Sequence, residues 1–511
     1  MTRTLARIWL ALMVSLLVLR PSVAEDLRED ARQAMRRAVE FYSMKVASHG
    51  GYVYRYSDDL SKREGEGKTG LDTVWVQPPG TPSIGMAFVE AYELTREPSL
   101  LESANAAADC LIRGQLRSGG WNASIEFAPD ARKKFAYRVD PERPNSKAAP
   151  FNVTTYDDDK SQSAMRFLMR LDKATNFQDE RLHEAITFAL EATLQAQYPN
   201  GAWPQGYAEF PDPEKYPVKP ASFPEMWSRT MTAKYYHQFY TLNDNSLADV
   251  IDAMFLAAET YGDTKYHSPL APALRGVGPG VRGSSLGEGC RRAAERAGDF
   301  LILAQLPEPQ PAWAQQYDFE MHPCWARKFE PPAITGLESQ GAIRALMQLY
   351  TATGNHKYLK PIAPAIDYLK RSRLSDGRLA RFYELQTNKP LYFTKEYVLT
   401  HDDSDVPTHY GFKVEAKLEE LSREYERLSA LQAADLEALR HPQPRKPGKP
   451  SLSLEAETRR VIAALDARGA WVEDGTLKYH GKGDDTRRII TSETFVKNLR
   501  TLSRYLARTA T

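Results

Sequence analysis

The sequence runs to 511 residues, 42% hydrophobic and 26% charged, with 67 basic and 66 acidic side chains. That balance excludes a disordered chain and a membrane-embedded one, and the near-zero net charge leaves no bulk attraction for nucleic acid. Three cysteines, Cys110, Cys290 and Cys324, are too few for a disulfide framework, lack zinc-ligand spacing and allow at most one bridge.

Arg3 and Arg7 precede an apolar run over 8–19, and Ser22-Val-Ala24 puts small residues where a cleavage site needs them. The pattern predicts a signal peptide over 1–24, cut after Ala24, and so a secreted or periplasmic protein with no membrane attachment after cleavage. The run is short for a membrane span, and no later stretch reaches span length. Losing Arg3, Arg7 and Arg20 leaves 64 basic against 66 acidic side chains, a net charge of −2. An acidic ligand must then be held by a local basic site or a bridging cation.

Apolar spacing next predicts paired helices: 84–92 with 100–116, 163–171 with 181–197, 248–260 with 291–305, and 339–351 with 361–370. The pairs close on Gly119-Gly-Trp121, Gly201-Ala-Trp203, Ala312-Trp313 and Asp376-Gly-Arg-Leu-Ala. These turns are unevenly spaced, which excludes a short constant-period solenoid. Helix hairpins with loops converging on one face suit an all-α fold, an α/α toroid or incomplete helical barrel whose long loops form the active-site face. An ordinary globular helical array is the alternative. Long polar connections over 57–82, 128–158, 204–231 and 265–289 interrupt the pattern, the last a glycine-rich insertion. A helix over 414–439 leads to a Pro- and Lys-rich linker at 441–450, which divides a toroid domain over 25–440 from a helical tail over 451–511. The tail is short enough to need docking on the ring.

Three polar clusters stand at helix edges. Asp157, Asp158 and Asp159 follow Thr154-Thr-Tyr and precede a helix; one or two acids suffice to cap it, and three repel one another unless a cation intervenes. Oxygen ligands of this kind are what Ca2+ prefers. Asn243 and Asp244, in Thr241-Leu-Asn-Asp-Asn245, are equally good helix caps. Arg327 and Glu330, in Trp325-Ala-Arg-Lys-Phe-Glu330, have the spacing of a surface ion pair worth a few tenths of a kcal/mol.

Taken together these segments resemble the family 10 polysaccharide lyases, pectate lyases of toroidal helical fold. The resemblance rests on Thr155-Tyr-Asp157 before Met165-Arg-Phe-Leu168, Gln197-Tyr-Pro-Asn-Gly-Ala-Trp-Pro-Gln205, Thr241-Leu-Asn-Asp244, Trp313-Ala-Gln-Gln316, Ala326-Arg-Lys-Phe-Glu-Pro331, Glu338-Ser339 and Arg381-Phe-Tyr383, in order over residues 154–410. It implies calcium-assisted anti β-elimination on polygalacturonate or a related acidic polysaccharide, giving 4,5-unsaturated oligogalacturonides. Asp157 and Asp244 would belong to the calcium site and Arg327 would be the catalytic base. Asp158, Lys160, Tyr198, Trp203, Asn243, Glu330 and Arg381 would contact substrate, and a monomer is expected. An arginine is an unusual base, its solution pKa lying above about 12.

The sequence departs from the family where Asp158-Asp-Lys-Ser161 replaces a small Asn-Gly-Ala-Thr, and where Gln316-Tyr-Asp318 replaces Gln-His-Asp. Two other readings stay open: an α/α-toroid glycoside hydrolase on uronic-acid glycans, with Asp157 and Asp244 as acid and base, and a non-catalytic exported glycan-binding protein.

Overall fold

A computed structural model describes residues 23–142, 149–231, 234–262, 285–441 and 448–509. Residues 1–22 of the expected signal peptide, most of the glycine-rich insertion, and 442–447 of the linker lie outside the described residues.

Among the described residues thirteen α-helices have eight residues or more: α1 (Val23–Phe41), α2 (Thr81–Thr95), α3 (Pro98–Arg113), α4 (Lys160–Ala174), α5 (Glu180–Gln195), α6 (Ser246–Tyr261) and α7 (Leu286–Ala304), then α8 (Gly336–Thr353), α9 (Ile362–Arg371), α10 (Leu418–Ser429), α11 (Ala433–Arg440), α12 (Leu452–Ala463) and α13 (Ser492–Arg508). Local chemistry sets several of their starts. Pro82 and Pro98 stand in the first turns of α2 and α3, where a missing N–H costs nothing. Asp179 accepts hydrogen bonds from the Arg181 and Leu182 amides to cap α5, and Ser285 caps α7 through the Glu288 amide. The helix expected over 414–439 is two helices, α10 and α11, broken around Leu431.

Helices α13, α2, α4, α6 and α8 pack side against side in that order, and α3, α5, α7 and α9 back them from outside. The fold is an α/α toroid. Each inner helix is entered through a short strand that pairs with the strand leaving the next outer helix: Thr73–Trp75 with Ser124–Glu126, Thr154–Thr155 with Gly206–Tyr207, Tyr240–Thr241 with Gln316–Tyr317, and Ala333–Thr335 with Phe382–Glu384. The same rule joins the two ends of the chain. Arg488–Thr491, entering α13, pairs with Arg55–Ser57, which follows α1. Among the described residues no helix is long and apolar enough to cross a membrane.

The tryptophans of the closing turns serve this architecture. Trp121, Trp203, Trp313 and Trp471 are buried and donate their indole N–H to carbonyls near the ends of α3, α5, α7 and α12, those of Leu111, Thr193, Leu301 and Val461, at 2.8–2.9 Å. They give carbonyls in the last turns of these helices a side-chain donor, where backbone partners run short. Gly201 takes a φ of +94°, and a Cβ there would lie 2.0 Å from the Arg296 carbonyl oxygen, so only glycine fits the turn before Trp203. The three cysteines are unpaired thiols, Cys110 and Cys290 buried.

Candidate active site

Two of the inner helices begin with the same backbone device. Before α4, residues Asp157–Asp159 form a 3-10 turn in which Asp158 and Asp159 are left-handed, at φ 48° and 60°. Before α6, Asn243–Asn245 repeats it, with Asp244 and Asn245 at 49° and 59°. Asp and Asn tolerate this conformation better than other side chains because their short polar groups bond locally. In both turns a threonine hydroxyl two residues upstream accepts the first amide: Thr155 from Asp157 at 3.2 Å, Thr241 from Asn243 at 3.3 Å.

The turns bring carboxylate oxygens of Asp157, Asp158 and Asp244 within 4.8 Å of one another. The third acid of the first turn goes elsewhere. Asp159 is paired with Arg166, with one contact of 2.6 Å, and burial raises its pKa against that arginine's pull. The repulsion among three consecutive acids is thus relieved by separate cations. Lys160, its side chain almost wholly buried, places Nζ 2.9 Å from Asp157 Oδ2 and 3.3 Å from Asp158 Oδ2. Gln205 donates to Asp157 Oδ1 at 2.7 Å, and Gln77 to Asp158 Oδ2 at 3.4 Å.

Across from these acids stands Arg327. Its Nε and Nη2 donate to Glu330 Oε2 and Oε1 at 2.8 and 2.5 Å, and its backbone amide donates to Oε2 at 3.0 Å. Nη2 also lies 3.8 Å from Asp244 Oδ2, while Nη1 has no recorded partner among the described residues. Burial works to lower the Arg327 pKa, but the bonded Glu330 carboxylate, Tyr410 and Asp244 outweigh it and hold the guanidinium firmly charged. Glu330 is correspondingly low: burial would raise it, and the bonds from Arg327 prevail. The Tyr410 hydroxyl donates to Glu330 Oε1 at 2.9 Å.

Arg381 joins the next pair of acids, its Nη2 lying 3.1 Å from Glu338 Oε1 and 3.5 Å from Asp244 Oδ1. Burial raises the Asp244 pKa, and Asp158 and Asp157 add to the rise against Arg381 and Arg327. Burial raises Glu338 as well, and its Oε2 is buried without a hydrogen-bond partner among the described residues.

The cleft itself, about 270 Å3, is lined by Asn122, Thr155, Asp157, Lys160, Gln205, Tyr236, His237 and Arg327. A larger cavity of about 590 Å3 opens between α2, α4, α12 and α13. There Arg166 is turned onto Asp159 and Arg500 onto Glu90; of the three gathered carboxylates Asp157 lines the smaller cleft and none lines the larger cavity.

The structure therefore brings together Asp157, Asp158, Lys160, Asp244, Arg327, Glu330 and Arg381. Three residues expected to contact substrate, Tyr198, Trp203 and Asn243, are buried. Trp203 is buried against the end of α5, and Tyr198 is buried among Tyr216, Tyr240 and Phe319, its hydroxyl donating to the Gln238 carbonyl at 2.7 Å. Trp203 is a core residue because its indole N–H bonds a carbonyl at the end of α5. Asn243 is also buried, with its Oδ1 unpartnered among the described residues. Sequence reasoning assigned no role to Gln205, Glu338, Gln77, Tyr236, His237 or Tyr410. The first two sit inside the recognised motifs; the others carry no local pattern.

The donor set fits a divalent cation. Calcium–oxygen distances of about 2.3–2.6 Å put opposed ligands roughly 5 Å apart, and these oxygens lie within 4.8 Å of one another. With all groups ionised, the acids Asp157, Asp158, Asp244, Glu330 and Glu338 exceed the cations Lys160, Arg327 and Arg381 by two charges.

Residues 115–379 match the profile of the pectic acid lyase family. No curated protein matches the chain. Solved structures it is similar to include a mutant of the family 10 polysaccharide lyase from Cellvibrio cellulosa in complex with trigalacturonic acid. That match has 16% identity and a TM-score of 0.43, covering 68% of this chain and 98% of that one. The family 10 polysaccharide lyase from Cellvibrio cellulosa itself matches at 17% identity and a TM-score of 0.42, over 63% of this chain and 92% of that one. The cellobiose 2-epimerase from Spirochaeta thermophila matches at 15% and 0.41, over 96% and 98%. With the family profile extending over just over half of its 511 residues, the chain belongs to the pectic acid lyases and is a polysaccharide lyase.

Proposed function

We propose that this protein is exported and, as a monomer, cleaves polygalacturonate by calcium-assisted anti β-elimination, releasing 4,5-unsaturated oligogalacturonides. The observation that carries the reading is the cleft in which Asp157, Asp158 and Asp244 converge opposite an arginine whose Nη1 is unengaged. Asp157, Asp158 and Asp244 would hold the calcium, which when bound supplies a Lewis acid for the carboxylate of the uronate being cut. Glu330 fixes the guanidinium plane through Nε and Nη2, leaving Nη1 to meet the substrate. With Arg327 as the neutral guanidine, the proton on C5 passes to the Nη1 lone pair, the C5–H electron pair forms the C4–C5 double bond, and the C4–O4 bond breaks with its electrons on O4, which takes a proton from water. Arg381 and Glu338 position Asp244, and Gln205 positions Asp157. Because Glu330 holds Arg327 charged, only the small neutral fraction can take the proton, and the rate should rise with pH as that fraction grows.

A retaining hydrolase needs its two carboxyl groups about 5–5.5 Å apart and an inverting one about 6.5–9.5 Å. The convergence of a third acid, Asp158, on Asp157 and Asp244, with one oxygen of each within 4.8 Å of the others, favours a shared cation over a two-carboxylate hydrolase. The burial of Tyr198 and Trp203 takes two aromatic rings away from a glycan-binding reading. Incubating the purified protein with polygalacturonate and calcium at alkaline pH and following ultraviolet absorbance of the new double bond tests the proposal. Arg327→Ala should lower the rate at least ~10³-fold, and a chelator should abolish it. New reducing ends without absorbance would replace the lyase reading with hydrolysis.

A further inference from the structure

Arg327 and Arg381 each have a glutamate of their own, Glu330 and Glu338. Lys160 has none. Its two recorded ion pairs run to Asp157 and Asp158, two of the three acids that would ligate calcium. Nor does the turn need a lysine there: in the repeated turn before α6 the same backbone position is Ser246. Lys160 is 6% exposed, so its ammonium is committed to these carboxylates and scarcely shared with water.

We propose that Lys160 is a built-in competitor of the divalent cation, which keeps the free protein's calcium affinity low and ties calcium binding to the arrival of an acidic oligosaccharide. The inference rests on the calcium reading above. An ammonium bonded to Asp157 Oδ2 and Asp158 Oδ2 occupies oxygens the ion requires, and its charge opposes a second cation in the same space. A uronate carboxylate entering the cleft offers Lys160 another anion, so the lysine can release Asp157 and Asp158 as substrate binds. Calcium and substrate must then strengthen each other's binding by the same factor, as linkage demands.

The test is calorimetric titration of calcium into the metal-stripped full chain, comparing the unsubstituted protein with Lys160→Met and Lys160→Ser. Both variants should bind calcium at least tenfold more tightly. In an Arg327→Ala background, which prevents turnover, trigalacturonate should tighten calcium binding at least tenfold when Lys160 is present and less than threefold when it is replaced. Equal or weaker calcium affinity in the variants, or the same gain from trigalacturonate with and without the lysine, would overturn the proposal. Should both variants fail to fold, the unsubstituted chain decides. Calcium should raise the acylation of Lys160 by an amine reagent several-fold, read by peptide mass spectrometry, and unchanged or reduced labelling sinks the idea. None of these readouts requires turnover, so they stand apart from the lyase reading, which fails when polygalacturonate yields no absorbing product.

Discussion

The turns at Asp157–Asp159 and Asn243–Asn245 are one piece of backbone carrying two different charge patterns. Both follow a two-residue strand, both pass through two consecutive left-handed residues, and both open an inner helix. The first presents two acids to the cleft and supplies its own cation, Lys160; the second presents one acid and borrows Arg381 and Arg327. Shape is therefore inherited from the repeat, and chemistry is written over it one side chain at a time. Asp158 and Asp244 occupy equivalent positions in the two turns, whereas Asp157 corresponds to Asn243. The acids that sequence reasoning paired are thus not the ones the backbone pairs.

The largest effect that tests this comparison is at Asp244. Asp244→Ala should reduce kcat/KM about 10³-fold, whereas Asn243→Ala, at a buried position of the same turn, should cost far less activity. Equal losses in the ultraviolet assay would mean that the turn's shape matters and its charge does not. A second test lies where the two turns meet electrostatically. Asp249, on the helix the second turn opens, is pushed from its usual 3.8 up to about 7 by burial first and then by the charge of Asp159 from the first turn. A carboxyl raised on folding binds its proton more tightly in the native state, so its contribution is intact below about pH 4 and is lost as pH rises towards 7. Urea denaturation should show stability falling by up to ~4 kcal/mol over that window, and Asp249→Asn should flatten the decline. An unchanged slope would uncouple the turns. The smallest effect should be shared equally: Trp121→Phe and Trp203→Phe each lose one buried indole hydrogen bond, worth ~1 kcal/mol. If Trp203→Phe alone weakened substrate binding, that residue would belong with the cleft after all.

Helix positions were legible because each buried stripe repeats every three or four residues. Ala164, Met165, Leu168 and Leu171 announce α4, and the observed bounds of the paired helices differ from expectation by a few residues. Helix α1 was not read, because apolar residues are sparse among its charges and the segment adjoins the expected cleavage site. The short strands were invisible, since two residues carry no periodicity. Arg327, Asp157 and Asp244 could be singled out from ordered motifs, but sequence gives no distances, so the closeness of the Asp158 carboxylate to those of Asp157 and Asp244 was not legible. Trp203 misled for a physical reason. A tryptophan beside a cleft and one capping a helix have the same neighbours in sequence, and only the carbonyl of Thr193 distinguishes them.

The pairing of Arg55–Ser57 with Arg488–Thr491 also governs how the molecule is made. The Tyr42 hydroxyl bonds to the Thr491 carbonyl across 449 residues of sequence, and Phe495 of α13 packs on Tyr42 and Phe88. Contacts of such separation form slowly, because the whole intervening loop must be ordered before they repay its entropy. Until α13 arrives, the inner flank of α2 stays uncovered, and the early helices have no partner on that side. A chain emerging in order from its N-terminus would hold an unfinished, protease-sensitive arc for most of its synthesis, and would pass to the stable ring only when residues near 490 are delivered.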